Sequence, residues 1–80
     1  MEYSQLIVTR ILSLCRQRNY SINHLATISG LSQSTLDNIM RGLSKNPRMI
    51  TLHKIALAFS MTLSEFLDFP ELNDFEFDKD

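Results

Sequence analysis

The chain has 80 residues, with 8 Lys+Arg against 9 Asp+Glu and a formal net charge of −1. That length holds one small domain with no room for a second core, and 44% hydrophobic with 21% charged residues excludes the composition of a disordered chain. Only 2 Gly and 2 Pro argue against an all-β fold rich in tight turns, and the lone Cys15 excludes an intramolecular disulfide and a cysteine-based zinc cluster.

No apolar run approaches the roughly 20 residues that span a bilayer. The start, MEYSQ, lacks a basic leader, and one unpaired thiol suits a reducing compartment, so a cytoplasmic chain without a membrane partner is expected. The charge is unevenly spread. Residues 1–67 hold seven basic and three acidic residues, whereas residues 68–80 hold six acids and Lys79. A mildly basic body with an acidic tail points to polyanion contact or an interaction tail.

Residues 4–18 read as the first helix, because Leu6, Ile7, Ile11, Leu14 and Cys15 form one apolar stripe. Ser4 is the expected cap, and Asn19, which tolerates a left-handed backbone, is the expected stop. Ser21 caps a two-turn helix over 22–29 with Ile22, Leu25, Ala26 and Ile28 on one side, and Gly30 follows as its stop. Leu31 enters the core and Ser32 caps a third helix over 33–41, with Leu36, Ile39 and Met40 inward and Gly42 as its end. Residues 43–50 form a loop containing Pro47. Thr51 is expected to cap a fourth helix with Leu52, Ile55, Ala56, Leu57 and Phe59 apolar. Thr62 and Glu65 make a capping box for a short fifth helix carrying Leu63, Phe66 and Leu67.

The stretch 21–42, SINHLATISGLSQSTLDNIMRG, carries the functional signal through Leu25-Ala26, Gly30, Leu31, Leu36 and Ile39. Ala26 is small where two helices cross closely. Gly30 turns the chain, and Leu36 with Ile39 anchors the third helix so that its polar face stays outward. This pattern resembles the helix-turn-helix of the lambdoid phage repressor and Cro proteins, the xenobiotic-response-element-type regulators. The resemblance extends over residues 5–68, where a polar loop with Pro47 precedes Leu52-x-x-Ile55-Ala56 and the capped last helix. It implies an all-α fold: a five-helix lambda-repressor-like DNA-binding domain at 1–68, followed by an acidic tail at 69–80. Three positions depart from the family's usual choices. Ile22 stands where many members carry a phosphate-gripping Gln, Met40 where Glu is frequent, and Ser60 where Gly is usual, so strain is expected at the turn after the fourth helix.

By this resemblance, residues 33–41 are a recognition helix in the major groove of double-stranded DNA. Gln33, Ser34, Asp37, Asn38 and Arg41 are the base-reading candidates: Gln33 and Asn38 suit adenine, Arg41 guanine or phosphate, and Asp37 the cytosine amino group. Asn23, Ser32, Thr35, Lys45, Asn46 and Arg48 are candidates for the DNA backbone, which positions without specifying. The implied function is a sequence-specific transcriptional repressor that binds an inverted repeat as a homodimer, with Phe66, Leu67 and Phe69 as the dimer interface. The other class open to this sequence is a protein-interaction module of the same fold, antitoxin-like or anti-repressor-like, and a protein co-regulator is a further partner to consider.

Arg10, Arg16, Arg18 and Lys54 read as solubilising surface charge, Cys15 as a small buried hydrophobe, and Met40, Met49 and Met61 as core fillers. His24 and His53 have no further ligand at metal spacing, and no nucleophile–base set is present, so neither metal, cofactor nor enzyme activity is expected. The 80 residues leave no room for an effector domain. The tail keeps three readings: a frayed end, a dimer contact, or an acidic competitor for the basic face.

Overall fold

The computed structural model describes residues 2–77. It contains α1 (Tyr3–Arg18), α2 (Ile22–Ser29), α3 (Gln33–Met40), α4 (Met49–Ala58), α5 (Leu63–Leu67) and α6 (Pro70–Asn73), with no strand among the described residues. α2 packs on α3 and on α4, and α4 packs on α5.

The helix ends follow from short-range chemistry. Asn19 adopts φ 56°, with its N–H on the Arg16 carbonyl and the Tyr20 N–H on the Cys15 carbonyl, which closes the end of α1. Ser21 Oγ accepts the His24 N–H at 3.0 Å, and Ser32 Oγ accepts the Thr35 N–H at 3.0 Å. Gly30 at φ 75° and Gly42 at φ 76° supply the left-handed residues after α2 and α3. In α5 both halves of the expected capping box are present: Glu65 N–H on Thr62 Oγ1, and Thr62 N–H on Glu65 Oε1.

Two starts differ from expectation. α1 begins at Tyr3 behind Glu2, and Ser4 lies in its first turn. α4 begins at Met49 behind Arg48, whose side chain makes no cap bond, and Thr51 lies inside the helix and is buried. Ser60 takes the left-handed turn after α4 at φ 59°, as its departure from Gly foretold, with its N–H on the Leu57 carbonyl and the Met61 N–H on the Ala56 carbonyl.

One core runs through the molecule. Ile7, Ile11, Leu14 and Cys15 of α1 meet Leu25 and Ala26, Leu36 and Ile39, Leu52, Ile55 and Ala56, then Phe59 and Phe66. Burial pushes the Cys15 thiol pKa upward, which keeps it an inert apolar group. Not every expected core residue is inside. Ile28, Met49 and Leu57 are 40%, 61% and 62% exposed. For Leu57 the cause is helical phase, since Leu52, Ile55, Ala56 and Phe59 define the buried face and Leu57 falls opposite Ile55.

Arg10 is not mere surface charge. Its Nε donates to the Phe66 carbonyl and its Nη2 to the Glu65 carbonyl, both at 2.9 Å, and its guanidinium lies 5.0 Å from the Phe69 ring centroid. It thereby serves carbonyls in the last turn of α5, joining the Asp68 N–H on the Glu65 carbonyl. Beyond the expected boundary the chain continues in contact with the body. Phe69 is buried, Pro70 occupies the first turn of α6, and Phe75 and Phe77 pack on Tyr3 with ring centroids 4.9 and 5.3 Å away. Residues 78–80 of the expected tail lie outside the described residues.

Candidate nucleic-acid interface

α3 is amphipathic in the way a reading helix requires. Leu36 and Ile39 are buried, and Gln33, Ser34, Thr35, Asp37 and Asn38 are all exposed. Gln33, Ser34, Asp37 and Asn38 therefore share one solvent-facing surface with the fifth base-reading candidate, Arg41, which caps the helix end. Asp37 and Arg41 are paired on it, with Arg41 Nη1 3.3 Å from Asp37 Oδ2 and both side chains more than half exposed. An exposed i,i+4 pair of this kind is worth about 0.3–0.5 kcal/mol. Displacing it costs little beside a charge-assisted bond to a base or phosphate.

The backbone candidates fall in two groups. Ser32 and Thr35 sit at the start of α3 and are tied to each other: Ser32 Oγ donates to Thr35 Oγ1 at 2.8 Å while accepting the Thr35 N–H. Asn23, near the start of α2, accepts on its Oδ1 from Gln33 Nε2. This bond joins the two arms of the helix-turn-helix, although the residues are ten positions apart, and no sequence spacing marks it.

The second group lies beyond α3. Gly42 N–H donates to the Ile39 carbonyl, and Leu43 and Ser44 N–H groups donate to the Asn38 carbonyl at 2.9 and 3.2 Å. These bonds fold the α3–α4 loop back against the end of α3 and leave a cleft of about 180 Å³. Its walls include Thr35 and Asn38 from α3, Ser44, Asn46 and Arg48 from the loop, and Thr51 from α4. The cleft is mostly polar, and Arg48 is the one cation that lines it. Ser44 and Thr51 are the residues that sequence reasoning missed here. Thr51 was expected as a cap, but it lies inside α4, buried at 8% exposure, and lines the cleft.

Lys45 sits apart from that cleft. Its Nζ lies 3.3 Å from Glu2 Oε2, and it lines a neighbouring recess with Tyr3, Asn46 and Glu76. The expected dimer residues are placed otherwise: Phe66 is fully buried and Phe69 is 6% exposed, both committed to this chain's own packing, and Leu67 is half-buried. An apolar residue near a chain's end reads alike as core or interface, and here Arg10 and α1 cover two of the three. Among the described residues no cluster of three or more His, Cys, Asp or Glu side chains is present, and no helix is long and apolar enough to cross a membrane.

Comparison with known proteins yields a coherent set of likenesses. Residues 10–71 match the family model of the Cro/C1-type HTH DNA-binding domain. The chain is 41% identical over 63 residues to the HTH-type transcriptional regulator SlrR of Bacillus subtilis (strain 168), an alignment covering 78% of this chain and 41% of that protein. It is 30% identical over 73 residues to the HTH-type transcriptional regulator SinR of the same organism, covering 91% of this chain and 64% of SinR. The chain thus spans less than two thirds of the length of either relative. The crystal structure of the prophage Lp1 protein 11 superposes with a TM-score of 0.82 at 32% identity, over 94% of this chain and 100% of that one.

Proposed function

The chain belongs to the Cro/C1-type HTH DNA-binding family, and from that premise we propose that it is a sequence-specific transcriptional repressor in the cytoplasm, without enzymatic activity of its own. The observation that carries the reading is the exposed polar face of α3 beside the cleft formed with the α3–α4 loop. The face offers donors and acceptors suited to base edges, and the cleft beside it offers polar groups and Arg48 for a phosphate. Gln33, Ser34, Asp37, Asn38 and Arg41 read bases. Ser32, Thr35, Lys45, Asn46 and Arg48 hold the sugar-phosphate backbone.

Repression follows by occlusion of a promoter when a dimer covers an inverted repeat whose half-site centres lie about 34–36 Å apart. With Phe66 and Phe69 buried, apolar groups open to a dimer contact include half-buried Leu67 and the exposed Met49, Ile50 and Leu57 of α4. The test is selection of bound duplexes from a random library with the full chain. Wild type enriches an inverted repeat. Gln33→Ala with Asn38→Ala flattens the preference, while Lys45→Ala with Arg48→Ala weakens all duplexes alike. If all four changes leave affinity and preference unaltered, the assigned face is wrong.

One observation favours a second reading, a protein-interaction module. Two of the three cations near α3 are already paired with carboxylates, and α4 exposes Ile50 and Leu57. Binding that is insensitive to salt would select this reading over the first.

A further inference from the structure

We propose that residues 74–77 form an autoinhibitory strap, which holds a carboxylate beside the α3–α4 loop and competes there with DNA phosphate. The inference rests on the reading of that loop as a contact to the DNA backbone. Hydrogen bonds tie the chain down only as far as Phe75: Asp74 N–H donates to the Pro70 carbonyl at 2.8 Å, and Phe75 N–H to the Leu72 carbonyl at 3.3 Å. Among the described residues, Glu76 and Phe77 make no backbone hydrogen bond. Aromatic rings hold them instead. Phe75 meets Tyr3 edge to face, with centroids 4.9 Å apart, and Phe77 meets Phe75 in the same way and lies 5.3 Å from Tyr3. Tyr3 stands at the start of α1, so three rings join the two ends of the chain.

The placement of those rings has an electrostatic consequence. Glu76 lies between the two anchoring phenylalanines and is exposed, and it lines a recess of about 570 Å³ with Glu2, Lys45 and Asn46. Asn46 also lines the cleft that contains Arg48, so the recess and the cleft adjoin. Two carboxylates therefore stand at the loop. Glu2 is paired with Lys45 at 3.3 Å, whereas Glu76 has no cation within ion-pair distance among the described residues. An unpaired carboxylate repels a phosphate over about one Debye length, roughly 8–10 Å at ordinary salt. On a freely moving tail such a charge would be diluted over many positions. Held by the rings, it has a high effective concentration at the loop. Edge-to-face ring pairs are individually weak, so an arriving duplex lifts the strap at a cost in affinity.

The test uses the full chain in four variants. Phe75→Ser with Phe77→Ser releases the segment at unchanged charge. Tyr3→Ser breaks the same ring contacts from the other end of the chain, which guards against a folding defect at half-buried Phe75. Glu76→Gln removes the held charge. Glu71→Gln is the control for net charge, because Glu71 lines a separate cleft with Arg10 and Arg16. Each protein is taken through duplex selection, then titrated by fluorescence anisotropy with the selected duplex at about 50 and 300 mM salt. Both release variants are expected to bind about threefold or more tightly than wild type at low salt, and Glu76→Gln about twofold, with the gain shrinking at high salt. Base preference stays the same, and Glu71→Gln gains less than Glu76→Gln. A duplex bound by the release variants alone supports the strap in its strongest form. Wild-type affinity in both release variants overturns this inference and leaves the DNA-binding reading intact. Equal gains from Glu71→Gln and Glu76→Gln overturn it too, since net charge alone would then be acting. Weaker binding by the release variants, with a shift from dimer to monomer in sedimentation, makes the segment a dimer contact and likewise overturns it. If no protein of the set binds any duplex, the DNA-binding reading falls and takes this inference with it.

Discussion

Replacing Arg10 by Met keeps most of the aliphatic stem and removes the guanidinium. Two bonds of 2.9 Å to the Phe66 and Glu65 carbonyls are lost, together with the guanidinium over the Phe69 ring at 5.0 Å. A hydrogen bond from a charged donor contributes about 1.5–3 kcal/mol, less where it is exposed, as the bond to Glu65 is. The stacked cation adds about 0.5–1 kcal/mol. The expected cost is therefore about 2–4 kcal/mol, which in a domain of this size lowers Tm by roughly 10–25 °C. Arg16→Met is the matched control. Arg16 is exposed and its side chain makes no hydrogen bond among the described residues, so its loss should stay within about 0.5 kcal/mol. Urea unfolding followed by far-ultraviolet circular dichroism measures both. Equal, small effects of the two substitutions would refute the assignment of Arg10 as the group that ties α1 to the end of α5.

Two further outcomes follow from local geometry. Ser60→Gly relieves a left-handed serine at φ 59° and should stabilise by about 0.5–1 kcal/mol after the entropic cost of glycine, read as a higher urea midpoint at unchanged slope. The Thr62 backbone N–H and hydroxyl hold the Glu65 carboxyl below the usual carboxylate range. Its ionised form is thus favoured by folding. The stability it brings is present above the ordinary glutamate pKa and is lost as pH falls through the depressed value. Glu65→Gln, which keeps only a neutral capping side chain, should lower stability at neutral pH by about what protonation of Glu65 removes and flatten the acid limb of the stability–pH profile below about pH 4.5.

Which parts were legible in the sequence depends on the range of the forces involved. Asn19, Ser21, Gly30, Ser32, Gly42 and the Thr62–Glu65 box act within four residues of where they stand, so spacing alone reveals them. The exposed face of α3 is legible for the same reason, because Leu36 and Ile39 fix its phase. Arg10 is the opposite case, since its partners are 55 and 56 residues away and nothing near position 10 signals them. The start of α4 hides behind an Arg48 that makes no side-chain cap, while buried Thr51 imitates one. The segment after Phe69 reads as acidic tail by composition. Its contacts come instead from aromatic rings meeting Tyr3 at the far end of the chain.

The small charge of the chain limits how it holds DNA, and salt measures that limit. Around α3 the cations are Arg41, Lys45 and Arg48, and the first two are tied to Asp37 and Glu2 at 3.3 Å. Such exposed pairs contribute about 0–1 kcal/mol, so a phosphate displaces them readily. The carboxylates nevertheless stay close and repel the same phosphate. Two cationic phosphate contacts per chain, Lys45 and Arg48, give a slope of log affinity on log salt of about −1.8, and about −3.6 for a dimer on both half-sites. Glu2→Gln releases Lys45 without altering α3. Its affinity should rise by about two- to fivefold at low salt, with the gain shrinking as salt screens it and base preference unchanged. Fluorescence anisotropy with a labelled operator from about 50 to 300 mM salt reads both quantities. If specific binding persists with a slope near zero, the phosphate contacts assigned to the loop are absent. A Glu2→Gln variant indistinguishable from wild type at every salt concentration would remove Lys45 alone from the interface, leaving the cleft around Arg48 as the phosphate seat.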